Sequence, residues 1–331
     1  MKNECKKLIE KSLQFQGHYG NELSNHLPMA IQALDFFEAD IEDIAKFYEN
    51  YKTRLIKKNI SKKEVSERNW KSFLGKKDFT NYFDFYKEQL SEHGIEKTLK
   101  KYLPELMVGV GASAFHPLIR LSYAIENNLL DEIAEALSLW SSHFLNLDKS
   151  IVNDEKTISL TKAIEVLNSE IYFHGLKFEG PNITSRLGGI LKDEEFLKIV
   201  GSINLSSITI NELSKITLKM YLSSKNNFTA LHALTSSHAL RVVSHYLNNI
   251  DVSYHYYVIV LLAMYVDFGV PNINIEFNTE KCLELNEVKK NINLKMDPHT
   301  IKLCYSCVKE YEFYGRSLYL LAATHRLRGE S

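Results

Sequence analysis

The chain has 331 residues, 45% of them apolar, with 40 Lys plus Arg against 41 Asp plus Glu. That length allows one large domain or two ordinary ones with a sizeable core, and the near-zero net charge removes any global attraction to nucleic acid or an anionic membrane. The charged N-terminus has no apolar leader core, the longest apolar run (Tyr256 to Val266) is too short to span a bilayer, and four cysteines at 5, 282, 304 and 307 fit a reduced, cytoplasmic protein better than a disulfide scaffold.

Six prolines and 14 glycines are few for this length and favour helix over strand. Leu8, Ile9, Leu13 and Phe15 fall at roughly helical spacing within residues 3–18. Leu27, Ala30, Ile31, Leu34 and Phe37 form a clear stripe of period 3.6, and Ile44, Phe47, Tyr48, Tyr51 and Leu55 repeat it. Lys57 to Glu67 is a charge run expected on the surface. Asp78 to Leu90 carries Phe79, Tyr82, Phe83, Phe85 and Tyr86, which at helical spacing reads as core. Gly94 is expected as a C-cap, and Pro104 as the opening of a segment running through His116 to Glu126.

Further helices are expected over 132–147 and 156–172, then over 193–222, 228–249, 253–268, 281–290 and 297–328. Between them, 173–191 is the most loop-like stretch, with Gly175, Gly180, Pro181, Gly188 and Gly189. It could serve as a hinge, but no linker divides the chain and no repeat of 30–45 residues points to a solenoid. The expectation is an all-α protein, a single large helical domain over 1–331 with a buried site between helices.

Two familiar patterns fail on context. Gly109 to Ala114 (GVGASA) only loosely matches a dinucleotide fingerprint and lacks a preceding strand; small residues that let a helix pack closely explain it better. Cys304 to Cys307 is a lone CxxC, without the second half a zinc site needs.

The chemistry-bearing signal is histidine. Four separated segments place one in an apolar, helix-like setting: LSNHLPMA (Leu23 to Ala30), GASAFHPLIR (Gly111 to Arg120), FTALHALTSSHALR (Phe228 to Arg241) and DPHTIK (Asp297 to Lys302). Burying an unpaired imidazole is unfavourable, so one such residue is usually a satisfied core group. Four suggest an inward-facing site built by several helices, and histidine is the commonest metal ligand.

His26 is expected at a helix N-terminus, with Pro28 in the first turn; a capping or packing role is the plainer alternative. His116 precedes Pro117, which marks a kink in an otherwise helical run. His232 and His238 are six residues apart, about 240° round a helix, so at most one of them is a direct ligand and the other holds a neighbour by hydrogen bond. Thr235, three residues on from His232, could orient it. His238, Arg241 and His245 share a face. Asp297 reads as an N-cap followed by Pro298, which puts His299 in the first turn with Lys302 three residues on. A buried Lys302 could ligate as a neutral amine or as a carbamate formed with CO₂; otherwise it is a surface lysine.

In these same four segments, taken in order, the chain resembles the questin oxidase-like family over roughly residues 17–325. Where fungal members often carry further histidines, this chain has Asn21 and Arg120. The resemblance implies oxygenation of a polycyclic aromatic or quinone-like substrate by O₂, of the Baeyer–Villiger or dioxygenative ring-opening kind. It also implies iron, Fe(II), held by His26, His116, His232 and His299 with a modified Lys302. His238 and Arg241, on one helix face, are the candidate catalytic residues beside that set. NADPH is the candidate reductant. No nucleic-acid or membrane partner is implied. The competing hypothesis is a non-catalytic helical binding protein with structural histidines. A metal-dependent hydrolase ranks third, because no His-Glu-x-x-His run or adjacent His-Asp pair is present.

Overall fold

A computed structural model of the chain describes residues 1–147, 157–204, 206, 208–292 and 297–329. Among them are sixteen α-helices and one two-stranded antiparallel ribbon. The all-α expectation holds. In chain order, α1 (Asn3–Ser12) is followed by the ribbon, in which β1 (His18–Tyr19) pairs with β2 (Leu23–Ser24). Then come α2 (Leu27–Phe36), α3 (Ile41–Lys52), α4 (Phe79–Leu106), α5 (His116–Glu126) and α6 (Leu130–Ser142). The second half holds α7 (Leu160–Ser169), α8 (Ile171–Gly175), α9 (Ile183–Ile190), α10 (Glu194–Gly201), α11 (Ile210–Ser223), α12 (Phe228–Val243), α13 (Ile250–Asp267), α14 (Leu285–Ile292), α15 (Pro298–Tyr314) and α16 (Ser317–Arg328).

Local sequence accounts for many of these boundaries. Side chains of Ser159, Asp193, Asn227 and Asn249 cap α7, α10, α12 and α13, and Thr209 with Glu212 closes a reciprocal capping box on α11. Gly315, at φ 68°, ends α15 in the left-handed conformation glycine favours, so the long helix expected over 297–328 is two. α13 is buried almost all round, from Ser253 to Val266. The apolar run noted in the sequence is therefore a core helix, and no described helix is long and apolar enough to cross a membrane.

Three expectations need correction. Gly94 (φ 76°) breaks α4 but the chain resumes helix at once, so it marks a kink rather than an end. Pro104 lies inside α4 and does not open the next segment. Pro117 does not kink a continuous helix: it occupies the first turn of α5, where its missing N–H is harmless. The break comes just before, at Ser113, Ala114 and Phe115, three consecutive non-glycine residues with φ of 45°, 54° and 65°. Within the loop-like 173–191 stretch, α9 seats Leu187 and Ile190 in the core.

A single hydrophobic cluster runs from Cys5 to Leu327. α12 lies at its centre, packed against α5, α11, α13 and α15, while α15 also packs on α2 and α16. α2, α5, α12 and α15 are the helices that carry the histidine segments.

Candidate metal centre

His26 is the residue just before α2, His116 opens α5, His232 lies in the second turn of α12, and His299 is in the first turn of α15. Their rings meet. Centroids are 4.7 Å apart for His26–His116, 4.6 Å for His26–His299, 4.7 Å for His116–His232 and 5.8 Å for His232–His299. His26, His116 and His299 each offer a ring nitrogen within 4.8 Å of the other two. His232 joins through His116, with the two Nε2 atoms 3.3 Å apart.

The backbone fixes which nitrogen faces inward. Nδ1 of His26 bonds the Ser24 carbonyl, Nδ1 of His116 the Ser113 carbonyl, and Nδ1 of His232 the Phe228 carbonyl at 2.8 Å. A carbonyl only accepts, so each Nδ1 carries the proton and each Nε2 a lone pair. His299 turns its Nδ1 toward Asp297, 3.6 Å away. Nε2 of His116 lies 2.9 Å from Nε2 of His26. Lone pairs therefore face one another at hydrogen-bond distance with no proton to share.

Nor is a proton easily added. Burial, followed by the nearby Lys302 charge, pushes His26 and His116 well below the usual histidine range; burial and then His299 do the same to His232. Burial also lowers His299, although Asp297 opposes the shift. A cation would resolve the facing lone pairs. Metal–nitrogen bonds of about 2.1 Å set neighbouring ligand atoms about 3.0 Å apart at right angles and about 3.4 Å apart at tetrahedral angles. The observed 2.9 and 3.3 Å fit those edges.

Lys302 is buried, not a surface residue, and burial pulls its ammonium down to about 7 against the pull of Asp297. Near neutral pH much of it is a free amine. Asp297 caps α15 through the backbone N–H groups of His299 and Thr300, and Arg326 donates to it at 2.9 Å. Burial works against its ionisation, but His299, Thr300 and Arg326 around it hold the carboxyl far below the usual range.

His238 and Arg241 sit elsewhere. Six residues along a helix is about 9 Å of axial rise, which takes His238 out of the cluster. Its Nδ1 meets Ser306 Oγ at 3.2 Å and its Nε2 lies 3.6 Å from Glu126, while Arg241 binds Glu310 at 2.6 Å. Both thus hold α15 onto α12, and His238 takes the neighbour-holding place expected for one of the pair. His245 packs on Tyr246. Thr235 bonds the carbonyls of Leu231 and His232 and leaves the ring to the Phe228 carbonyl.

A cavity of about 300 Å³ reaches His26, His116 and His299. Its walls include Tyr19, Leu23, Ala114, Phe228 and Arg186. Phe228 meets both His232 and His299 edge-on, at 4.8 and 4.6 Å. Arg186 is locked by Asp267 through Nε and Nη2 at 2.7 and 2.9 Å, and Thr229 donates to the same carboxylate. Phe228 and Arg186 carried no signal in the sequence: one is an ordinary apolar residue at a helix start, the other lies in the stretch expected as loop. No strand directly precedes Gly109 and Gly111, which lie between helical segments; a Cβ at Gly109 would strike the Phe144 ring at 2.5 Å, which fits the close-packing expectation.

Fold and cluster together define a class: an all-helical protein with a buried multi-histidine centre open to a small cavity. The sequence profile of the Questin oxidase-like family matches residues 23–307, and the chain belongs to that family. Among curated proteins none matches.

Proposed function

We propose that this chain is a non-haem iron-dependent oxygenase acting with O₂ on a polycyclic aromatic or quinone-like substrate, by Baeyer–Villiger-type or dioxygenative ring opening. Membership of an oxidase-like family supports the reaction class. The observation that carries the metal assignment is the set of inward Nε2 lone pairs at 2.9 and 3.3 Å, each fixed by a backbone carbonyl on its Nδ1. That arrangement, a ligand oriented through its other nitrogen, is how metal-bound histidines are held.

In this reading His26, His116, His232 and His299 hold the ion, and Lys302 completes the set as a neutral amine or, after reaction with CO₂, as a carbamate. Fe(II) bound there would supply open positions for O₂ and an electron to begin its reduction. The chain's own groups do the rest. The Ser24, Ser113 and Phe228 carbonyls keep each imidazole in one tautomer. Tyr19 and Phe228 offer ring faces and edges to a flat substrate in a cavity of about 300 Å³. Arg186, immobilised by Asp267, presents a donor to a substrate oxygen. His238 and Arg241 act as positioning residues, because they anchor the helix bearing His299 and Lys302. NADPH is the candidate reductant.

The test is oxygen uptake by apoprotein loaded anaerobically with Fe(II), then given O₂ and a panel of polycyclic aromatic ketones and quinones, with and without NADPH. Substrate-dependent uptake that disappears in His116→Ala is expected. Uptake no greater than that of free iron across the panel would instead favour a helical binding protein.

A further inference from the structure

A second group of imidazoles lies outside the histidine cluster. Residues 15–19 run extended: Phe15 bridges Lys57, the Gln16 N–H donates to the Ile56 carbonyl at 2.8 Å, and the Gly17 carbonyl accepts from Asn25 at 2.9 Å. Side chains two apart on an extended segment share a face, and Gln16 and His18 both line a polar cavity of about 500 Å³. His143, the residue just past α6, packs its ring on His18 with centroids 4.7 Å apart at 63°. The His26–His116 pair has the same separation.

Three buried atoms here, Gln16 Oε1, His18 Nδ1 and His143 Nε2, have no hydrogen-bond partner among the described residues. Leaving such atoms unpaired in the interior is unfavourable. The Ser142 hydroxyl donates to the Leu139 carbonyl and accepts from His143 Nδ1 at 3.0 Å, which leaves the lone pair on Nε2. Burial, His18 and Lys77 depress His143 to about 4, so it stays neutral, and the Lys77 ammonium is itself paired with Glu22.

We propose that Gln16, His18 and His143 form a separate cation site for a late first-row divalent ion such as Zn²⁺. Two neutral imidazoles and an amide oxygen are suitable ligands for such an ion, and the cavity beside Gln16 and His18 gives it a route in. This site is independent of the iron reading, since it shares no ligand with it. Its consequence is structural: His18 is the strand partner of Ser24, and the Ser24 carbonyl orients His26. The ion would tie the ribbon to the end of α6 and steady one wall of the main site.

The experiment is calorimetric titration of metal-stripped protein with Zn²⁺ alone, in five forms: wild type, His18→Ala, Gln16→Ala, the double variant His26→Ala/His116→Ala, and that double variant with His18→Ala added. The double variant is expected to keep one Zn²⁺ equivalent, and adding His18→Ala to it should remove that equivalent. Wild type should take up one equivalent more than His18→Ala. Gln16→Ala should weaken the second site about tenfold or more, and it carries the test alone if His18→Ala does not fold by far-UV circular dichroism. Equal stoichiometry and affinity in wild type, His18→Ala and Gln16→Ala would overturn the site, whatever happens at His26 and His116.

Discussion

Lys302 shows how one residue's environment changes its chemistry. In the sequence it is as well explained by an exposed helix face as by a ligand role, because a lysine three residues after a histidine carries no burial signal. The fold buries it beside four imidazoles and lowers its pKa to about 7 from 10.5. Between those two values the unfolded chain holds the proton and the folded chain does not, so this residue makes apoprotein stability rise with pH from about 7 to about 10. Below 7 both states are protonated and the full penalty of burying the ammonium applies. Lys302→Met should therefore stabilise metal-free protein near pH 7 and flatten that rise, as read by urea unfolding at several pH values. An unchanged slope would mean that the ammonium is solvated. Asp297 makes a second case. It was legible as an N-cap from the Asp-Pro pair, but not as the carboxylate facing His299. Asp297→Asn keeps a capping group, so stability should fall by no more than about 1 kcal/mol, whereas metal affinity should drop about 10- to 100-fold. Loss of stability with unaltered affinity would confine Asp297 to the cap.

At the scale of elements, the sequence exposed the helices and hid the turns. Periodicity and capping residues mark α2, α12 and α15 because each needs only local information. The turn before α5 does not, since Ser113, Ala114 and Phe115 all adopt a left-handed backbone that their side chains disfavour. Local propensity points the other way there, so the sequence suggested a proline kink instead. Tertiary packing holds the turn: Ala114 and Phe115 are buried, and the Phe115 ring packs on Tyr257 at 5.1 Å. What the turn achieves is the delivery of the Ser113 carbonyl to His116 Nδ1. Strain concentrated beside a functional group is common. Ala114→Gly should relieve part of it and raise stability by about 1 kcal/mol, measured by chemical denaturation; a loss of stability would show that the turn is not strained at that position. The ligand-orienting carbonyls of Ser24, Ser113 and Phe228 were illegible for the same reason, because they depend on the path of the backbone and not on side-chain identity.

The whole molecule is held by features that sequence patterns do not reveal. Arg120 lies buried with Nε and Nη2 each 2.9 Å from Glu132 and Nη2 3.2 Å from Glu135. Lys58, from the charge run expected on the surface, reaches in to Glu135 and sits over the Phe83 ring. This buried network ties α5 and α6 to the segment after α3. Glu132→Ala would leave Arg120 underpaired in the interior and should destabilise by about 3–5 kcal/mol. Acid should act at the histidine cluster as well. His26, His116 and His232 are held below 6.5 in the folded state, so the unfolded chain binds more protons once the pH drops under that value, and stability is lost as pH falls from about 6.5. A bound ion would steepen this loss, since protons then compete for the ligands.

In the proposed site, four imidazoles from four parts of the chain hold one ion. The most direct measurement is elemental analysis of protein reconstituted with Fe(II) and then desalted, for wild type and for His26→Ala, His116→Ala, His232→Ala and His299→Ala. One iron per chain is expected in wild type and substantial loss in each variant, most severe for His116, whose Nε2 lies within 3.3 Å of two others. Iron-free wild type, or occupancy equal in wild type and His116→Ala, would contradict it.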